Sequence, residues 1–210
     1  DLFLLFAGAL LFYLIEHDDL FAGMTMTGKI LSSFFCAVTP RTAGFNTVNV
    51  SGLTDASKLL TVILMFIGGA PGSTAGGIKV TTIVVLLVYL KASLTRTVGY
   101  NIFGRRLEDD ALRKSAAVFC TNLFLATTAA LILCTLQNFN GLDTLLEVIS
   151  AISTVGMTAG LTTQLNMISR MVVILLMYLG RVGSLSFAMS FTDKKKIAHV
   201  MQPAEKINIG

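Results

Sequence analysis

Two short stretches of the chain have the residue types that could bind a bare cation through backbone oxygens. They are Thr42, Ala43, Gly44 and Phe45 (the first filter stretch), and Thr154, Val155, Gly156 and Met157 (the second filter stretch). Each glycine would let the backbone approach an ion with no side chain in the way. Carbonyl oxygens turned toward a pore can replace the hydration shell of a cation. We therefore interpret the two stretches as candidate selectivity filters.

The apolar run before each filter stretch is too short to cross a membrane. At about ten residues each, residues 30–38 and 145–153 would measure ~15 Å as helices, roughly half of the ~30 Å hydrocarbon core. Pro40 then prevents the first run from continuing as a regular helix. Irregular backbone at membrane depth occurs only where it is buried in protein or lines a water-filled path. The pattern favours a re-entrant pore helix, and a plain loop between two helices is the alternative.

A third stretch has too many glycines for a regular helix. The apolar segment 59–90 would be ~48 Å long as one helix, which exceeds the bilayer unless the helix tilts strongly. Its middle contains five glycines and a proline, so we predict half-helices at 59–67 and 80–90 with a mobile loop between them. The loop residues are Gly68, Gly69, Ala70, Pro71, Gly72, Ser73, Thr74, Ala75, Gly76, Gly77 and Lys79.

The glycine-rich loop does not match a nucleotide-binding P-loop. In that motif the lysine follows a glycine and precedes a serine or threonine that binds magnesium. Here Lys79 follows Ile78 and precedes Val80, so the pattern fails at both positions. The motif therefore predicts no nucleotide site.

The composition indicates an integral membrane protein. The 210 residues are 54% hydrophobic and 13% charged, with a mean hydropathy of +0.76, whereas soluble domains contain about 25% charged residues. Three dispersed cysteines and two distant histidines predict neither a disulfide set nor a metal site. An intramembrane hydrolase would need a Ser/His, Asp/Asp or HExxH set, which we do not find, so we expect no enzyme activity. The first residue, Asp1, lies in an apolar run, which suggests a piece of a longer chain.

The distribution of basic residues predicts the orientation in the membrane. Ten of the sixteen Lys and Arg residues lie in the segment 91–114 and in the tail after residue 191. By the positive-inside rule both segments are cytoplasmic, so the net charge of +4 reflects topology and not nucleic-acid binding. We predict spanning helices at 115–136 and 171–191. The second of these would have Arg181 near its middle, where a charge normally faces a cavity or a partner.

The two halves of the chain share one plan. Thr42 and Gly44 match Thr154 and Gly156 at an offset of 112, and residues 62–73 match 173–184 at six of twelve positions. We predict an all-α integral membrane fold with two tandem helix–pore-loop–helix repeats, half of a four-repeat pseudo-fourfold pore. The predicted divisions are one repeat at 1–92 with a broken second helix, a cytoplasmic linker at 93–114, another repeat at 115–192 and a cytoplasmic tail at 193–210.

These motifs resemble the Trk/Ktr/HKT superfamily of potassium transporters over nearly the whole chain. The resemblance is carried by TAGFN at 42–46, by GGAPGSTAGGIK at 68–79 and by GRVG at 180–183, and the end of the chain looks more like the bacterial Ktr membrane subunit. It implies a potassium uptake protein in which the repeats at 1–92 and 115–192 are the third and fourth of four. It also implies that Gly44 and Gly156 are filter glycines, that residues 68–79 are an intramembrane gating loop, and that Arg181 lies below the filter. Ser184, where the family often has proline, departs from the pattern.

The resemblance also implies partners and a location. The expected assembly is a homodimer in the lipid bilayer of the inner (cytoplasmic) membrane, bound to a cytosolic nucleotide-binding regulatory ring similar to KtrA or TrkA. No cofactor is expected in this chain; potassium is the transported ion, and sodium is a candidate activator. One alternative is a tandem-pore potassium channel, which would require Gly-Tyr-Gly or Gly-Phe-Gly at both filters. The other is a channel or transporter for another monovalent cation, such as sodium.

Three charged residues have a structural interpretation beside a functional one. Arg181 is either a pore charge or a structural residue satisfied by carbonyls or an acid such as Glu147. Glu147 either pairs with a cation or caps a helix. Arg41 is a surface residue or one that supports the filter.

Overall fold

The computed structural model describes residues 1–73, 75–95, 101–102, 105–106 and 108–183, and the fold within these ranges is helical. Two two-residue strands, β1 (Asn101–Ile102) and β2 (Arg105–Arg106), pair antiparallel between the fourth and fifth α-helices. The predicted all-α class is confirmed. The α-helices are α1 (Leu2–Glu16), α2 (Met26–Val38), α3 (Asp55–Phe66), α4 (Val80–Thr95), α5 (Asp109–Leu136), α6 (Gly141–Ile152) and α7 (Met167–Val182).

Polar caps set the start of the helix that follows each filter stretch. Thr54 accepts a hydrogen bond from the backbone N–H of Ser57 at the start of α3, and Asn166 does the same for Ser169 at the start of α7. Side chains of this type satisfy the unpaired N–H groups of a first turn. The two caps are 112 residues apart, the same offset that relates the two filter glycines. Both helices therefore start four residues before the apolar runs suggested.

The last helix ends earlier than the sequence predicted. We predicted one helix over 171–191, but α7 ends at Val182 because Gly183 has φ 94°, a left-handed torsion that glycine adopts readily. Arg181 therefore lies in the last turn of α7 and not in the middle of a helix. Residues 184–191, the tail at 193–210 and Ser184 lie outside the described residues.

The short helix α6 is at the centre of the packing. It contacts α3, α5 and α7, and its residues from Leu146 to Ile152 are all buried. The core cluster around it includes Met65 of α3 and Leu133 of α5, both fully buried. α7 approaches α6 closely through Gly180, where a Cβ would clash with the carbonyl oxygen of Ile152. Small residues permit such close backbone contact between membrane helices.

The outer helices have exposed apolar faces. Phe3 of α1, Phe124 of α5 and Tyr178 of α7 are each more than 60% exposed. α5 is, within the described residues, the one helix long and apolar enough to cross a membrane, with α1 and α4 as shorter apolar helices. Exposed apolar side chains on such helices are suited to lipid contact.

Candidate functional site

The first filter stretch has an unusual backbone. α2 ends at Val38, and a single 3-10 turn, Thr39–Arg41 with Pro40, leads into the stretch. Thr42 and Gly44 both have positive φ, at 69° and 73°. The Thr39 hydroxyl donates a hydrogen bond to the carbonyl oxygen of Phe45 at 2.9 Å, which closes the turn. A left-handed threonine costs roughly 1–2 kcal/mol, so the surrounding structure must hold it in place.

The second filter stretch repeats this backbone pattern. Thr154 and Gly156 have φ 55° and 86°, so the threonine and the glycine are again the two left-handed residues. The backbone N–H of Val155 donates to the carbonyl oxygen of Ser150 at 2.9 Å, which fixes the stretch to the end of α6. Side chains at equivalent positions differ in exposure: Phe45 is 73% exposed, whereas Met157 is buried in the core.

The fold brings the two filter stretches into contact. A Cβ placed on Gly44 would clash with the carbonyl oxygen of Val155 and would lie 4.0 Å from the Cα of Gly156. Only glycine fits at position 44, because the torsion is left-handed and the Val155 carbonyl is too close for a side chain. Backbone groups from two parts of the chain 112 residues apart thus lie side by side, without long side chains between them.

The loop formed by residues 68–79 (the glycine loop) is closed on itself. Its ends meet where the backbone N–H of Val80 donates to the carbonyl oxygen of Gly69 at 3.2 Å. The Lys79 ammonium donates to the carbonyl oxygens of Ser73, at 3.1 Å, and Ala75, and the Ser73 hydroxyl donates to that of Ala70 at 2.6 Å. Side chains therefore satisfy carbonyls that the interruption between α3 and α4 leaves free.

Each end of the glycine loop forms a hydrogen bond near a filter stretch. The guanidinium Nη1 of Arg41, which directly precedes Thr42, donates to the carbonyl oxygen of Gly68 at 3.0 Å. The backbone N–H of Gly76 donates to the hydroxyl of Thr154 at 3.0 Å. The Arg41 side chain is only 10% exposed, so the surface interpretation of this residue is wrong.

The predicted gating-loop residues do not all lie near the filter stretches. Gly76 and Gly77 pack against Thr154 and Ser153. Pro71 and Gly72 are exposed, and nothing lies within 4 Å of a Cβ placed on Gly72. Thr74 lies outside the described residues.

Arg181 is connected to the glycine loop through its neighbour in the chain. It follows Gly180, whose carbonyl oxygen would lie 3.1 Å from a Cβ placed on Gly76. Its side chain is exposed in this chain. The role of Arg181 as a pore charge stays a prediction.

Two polar contacts beside the site had only weak signals in the sequence. Lys58 of α3 and Asp143 of α6 form a largely buried ion pair with Nζ and Oδ1 2.8 Å apart. Glu147 of α6 is 5% exposed and accepts a hydrogen bond from the hydroxyl of Thr162. The acid does not cap α6, since that cap is Asn140. A charged residue in or beside an apolar run indicates a buried polar contact, but the sequence does not show which residue is its partner.

The candidate site has a carbonyl oxygen at one filter glycine and charged side chains in the cavity beside the other. Within the part of the chain that the structure describes, no three His, Cys, Asp or Glu side chains are grouped to hold a metal ion. The Val155 carbonyl lies against Gly44. Glu147 and Arg170 line the cavity beside Gly156. Carbonyl oxygens suit a weakly bound monovalent cation better than a tightly held transition metal.

Comparison with known proteins identifies the family. A family model described as TrkH, cation transport protein, matches residues 2–199. The chain is 36% identical to the potassium/sodium uptake protein NtpJ of Enterococcus hirae over 99% of its own length and 48% of the relative. It is also 36% identical to the Ktr system potassium uptake protein B of Bacillus subtilis, over 87% of this chain and 41% of that protein.

The fold agrees with a solved structure of this kind. The crystal structure of the potassium transporter TrkH from Vibrio parahaemolyticus superimposes with a TM-score of 0.77 at 22% identity, covering 91% of this chain and 43% of that one. The chain spans about half the length of the curated relatives it matches. The resemblance seen in the glycine motifs is confirmed, and the chain belongs to the TrkH family of cation transport proteins.

Proposed function

We propose that this chain forms half of a potassium-conducting pore and supplies two of its four filter stretches. The observation that carries the proposal is the contact between Gly44 and the Val155 carbonyl, which brings two glycine-containing stretches of like backbone together. Carbonyl groups in such an arrangement can take the place of water around a potassium ion. Relatives that are named as potassium or potassium/sodium uptake proteins support potassium as the cation.

The helix order supports the proposal of two tandem helix–pore-loop–helix repeats. In one repeat α1 precedes the short helix α2, the first filter stretch, and the broken pair α3 and α4. In the other, α5 precedes α6, the second filter stretch, and α7. Two further repeats would complete a pseudo-fourfold pore, which agrees with the chain matching about half of its relatives.

The glycine loop is the proposed gate. It interrupts a helix beside both filter stretches, and hydrogen bonds from Arg41 and to Thr154 hold it there. Its part around Pro71 and Gly72 is exposed, with nothing within 4 Å of a Cβ placed on Gly72. Weakly packed segments of this kind open at low free-energy cost. Arg181, beside the loop contact at Gly180, is the proposed pore charge that raises the barrier to cations or holds the loop through its carbonyls.

The proposed assembly has the partners that the family resemblance implies. The chain acts as part of a homodimer in the inner (cytoplasmic) membrane, crosses that membrane several times, and binds a cytosolic nucleotide-binding ring that controls the gate. The exposed apolar faces of α1, α5 and α7 support contact with lipid. Sodium is the candidate activator of potassium transport. The second candidate function is sodium or mixed monovalent transport, which the potassium/sodium relative supports.

Ion uptake by filter variants tests the proposed function. The transporter is reconstituted in lipid vesicles, and potassium and sodium uptake are measured separately. Wild-type protein is expected to favour potassium, and Gly44→Ser or Gly156→Ser is expected to weaken that preference, because a side chain displaces the backbone from the ion. Relative uptake of the two ions that stays at the wild-type value in both variants rejects these glycines as filter residues.

A further inference from the structure

We propose that the hydrogen bond between Glu147 and Thr162 is a brace that positions the second filter stretch for cation selectivity; this inference rests on the proposed function. Glu147 lies in α6, before the stretch, and its Oε1 accepts the hydroxyl hydrogen of Thr162, after the stretch. The bond therefore closes a loop around the whole second filter stretch. Glu147 is a positioning residue in this account, since it acts through the backbone of that stretch.

A short chain of hydrogen bonds extends the brace to the filter itself. The hydroxyls of Thr158 and Thr162 are 3.0 Å apart. Because Thr162 gives its one hydroxyl hydrogen to Glu147, Thr158 donates to Thr162. The Thr158 oxygen also accepts the backbone N–H of Gly160 at 2.9 Å. Thr158 directly follows Met157, so the buried carboxyl is linked to the end of the second filter stretch.

The internal offset shows that packing alone does not require a carboxyl here. At an offset of 112, the positions of Glu147 and Thr162 correspond to Phe35 and Val50, which are both apolar. Both line the same small cavity behind the first filter stretch. An apolar pair thus fills this place in one half of the chain. In the other half, Glu147 is buried although its Oε2 has no hydrogen-bond partner among the described residues, which is unfavourable.

A different side-chain hydrogen bond holds the first filter stretch, which explains why only the second half of the chain has a buried carboxyl at this place. Its backbone is held by the Thr39 hydroxyl, which donates to the Phe45 carbonyl at 2.9 Å. The position equivalent to Thr39 at an offset of 112 is Ala151, which has no hydroxyl. The second filter stretch therefore lacks a bond equivalent to that between Thr39 and Phe45. The bond between Glu147 and Thr162 takes over its role.

The brace is tested by the ratio of potassium to sodium uptake in vesicles containing the transporter. Thr162→Val removes the hydroxyl at an exposed position with little change of shape, and Glu147→Leu removes the acceptor. Each is expected to lower the ratio by roughly threefold to tenfold, the effect of losing one hydrogen bond that positions an ion ligand. Thr162→Ser and Glu147→Gln keep the donor and the acceptor and are expected to restore most of the ratio. Thr127→Val, at an exposed site on α5, is the matched control.

The outcomes separate this inference from the proposed function. If wild type takes up potassium selectively and Thr162→Val has the same ratio of potassium to sodium uptake, the brace is overturned. The proposed function is then unaffected. An unchanged ratio with reduced thermal stability also overturns it, since the contact is then merely structural. No potassium uptake by wild-type protein overturns the proposed function itself. Because Thr162 is exposed, its valine variant decides the matter even if Glu147→Leu fails to fold.

Discussion

Gly44 packs directly against the carbonyl group of Val155, and this contact joins the two halves of the chain. Its counterpart Gly156 has a similar left-handed torsion, φ 86° against 73°, but no described atom lies within 4 Å of a Cβ placed on it. The two filter glycines therefore share one backbone requirement and differ in their surroundings. That difference allows torsional strain and steric overlap to be measured separately.

Alanine at the two glycines is expected to have unequal effects. Gly156→Ala forces an L side chain into a left-handed conformation, which costs roughly 1–2 kcal/mol. Gly44→Ala has the same cost and must also displace the Val155 carbonyl, so it is expected to be the less stable variant. Thermal unfolding in detergent compares them. Equal stabilities would mean that the Gly44–Val155 contact is not present in the assembled protein.

Valine at the two left-handed threonines is expected to separate loop binding from filter geometry. Thr42 and Thr154 have similar torsions, but among the described residues only the Thr154 hydroxyl is bonded to the glycine loop, through the N–H of Gly76. Thr154→Val keeps the branched shape and removes that bond, so potassium flux in the resting state is expected to rise by roughly threefold to tenfold. Thr42→Val should give a smaller rise. A larger rise of the flux with Thr42→Val would contradict the proposal that the hydrogen bond between Thr154 and Gly76 holds the glycine loop in place.

The ion pair between Lys58 and Asp143 is expected to stabilise the contact between α3 and α6. Lys58→Met leaves the Asp143 carboxylate largely buried without its partner, which costs about 3–5 kcal/mol. The double variant Lys58→Met with Asp143→Leu removes both charges and is expected to recover most of this loss. Unfolding temperatures of the single and double variants measure it. Additive losses in the double variant would show that the two charges do not interact.

The sequence predicted the elements of this fold better than their ends. The glycines between residues 68 and 77 correctly place non-helical backbone between α3 and α4. The apolar runs missed the first turns of α3 and α7, because Thr54 and Asn166 extend each helix into polar sequence. They also missed the end of α7, since apolar residues continue past Gly183 while its backbone turns.

The candidate site could be predicted in its residue types but not in its contacts. The matching threonine and glycine in each filter stretch follow from the internal offset. The bond from Arg41 to Gly68 and the packing of Gly44 on Val155 join residues far apart in the chain. Periodicity and local propensity contain no information about such pairs, so their geometry needed the structure.

Flux through a variant with a shortened glycine loop tests the central claim, that this loop is the gate of a potassium path along the filter stretches. Deleting residues 70–76 leaves residues 77–79 to connect Gly69 with Val80, whose backbones already form a hydrogen bond. It also removes the bond from Gly76 to Thr154. The deletion protein in vesicles is expected to conduct potassium faster than wild type and without dependence on the cytosolic partner. A well-folded deletion protein with flux no higher than wild type would contradict the account.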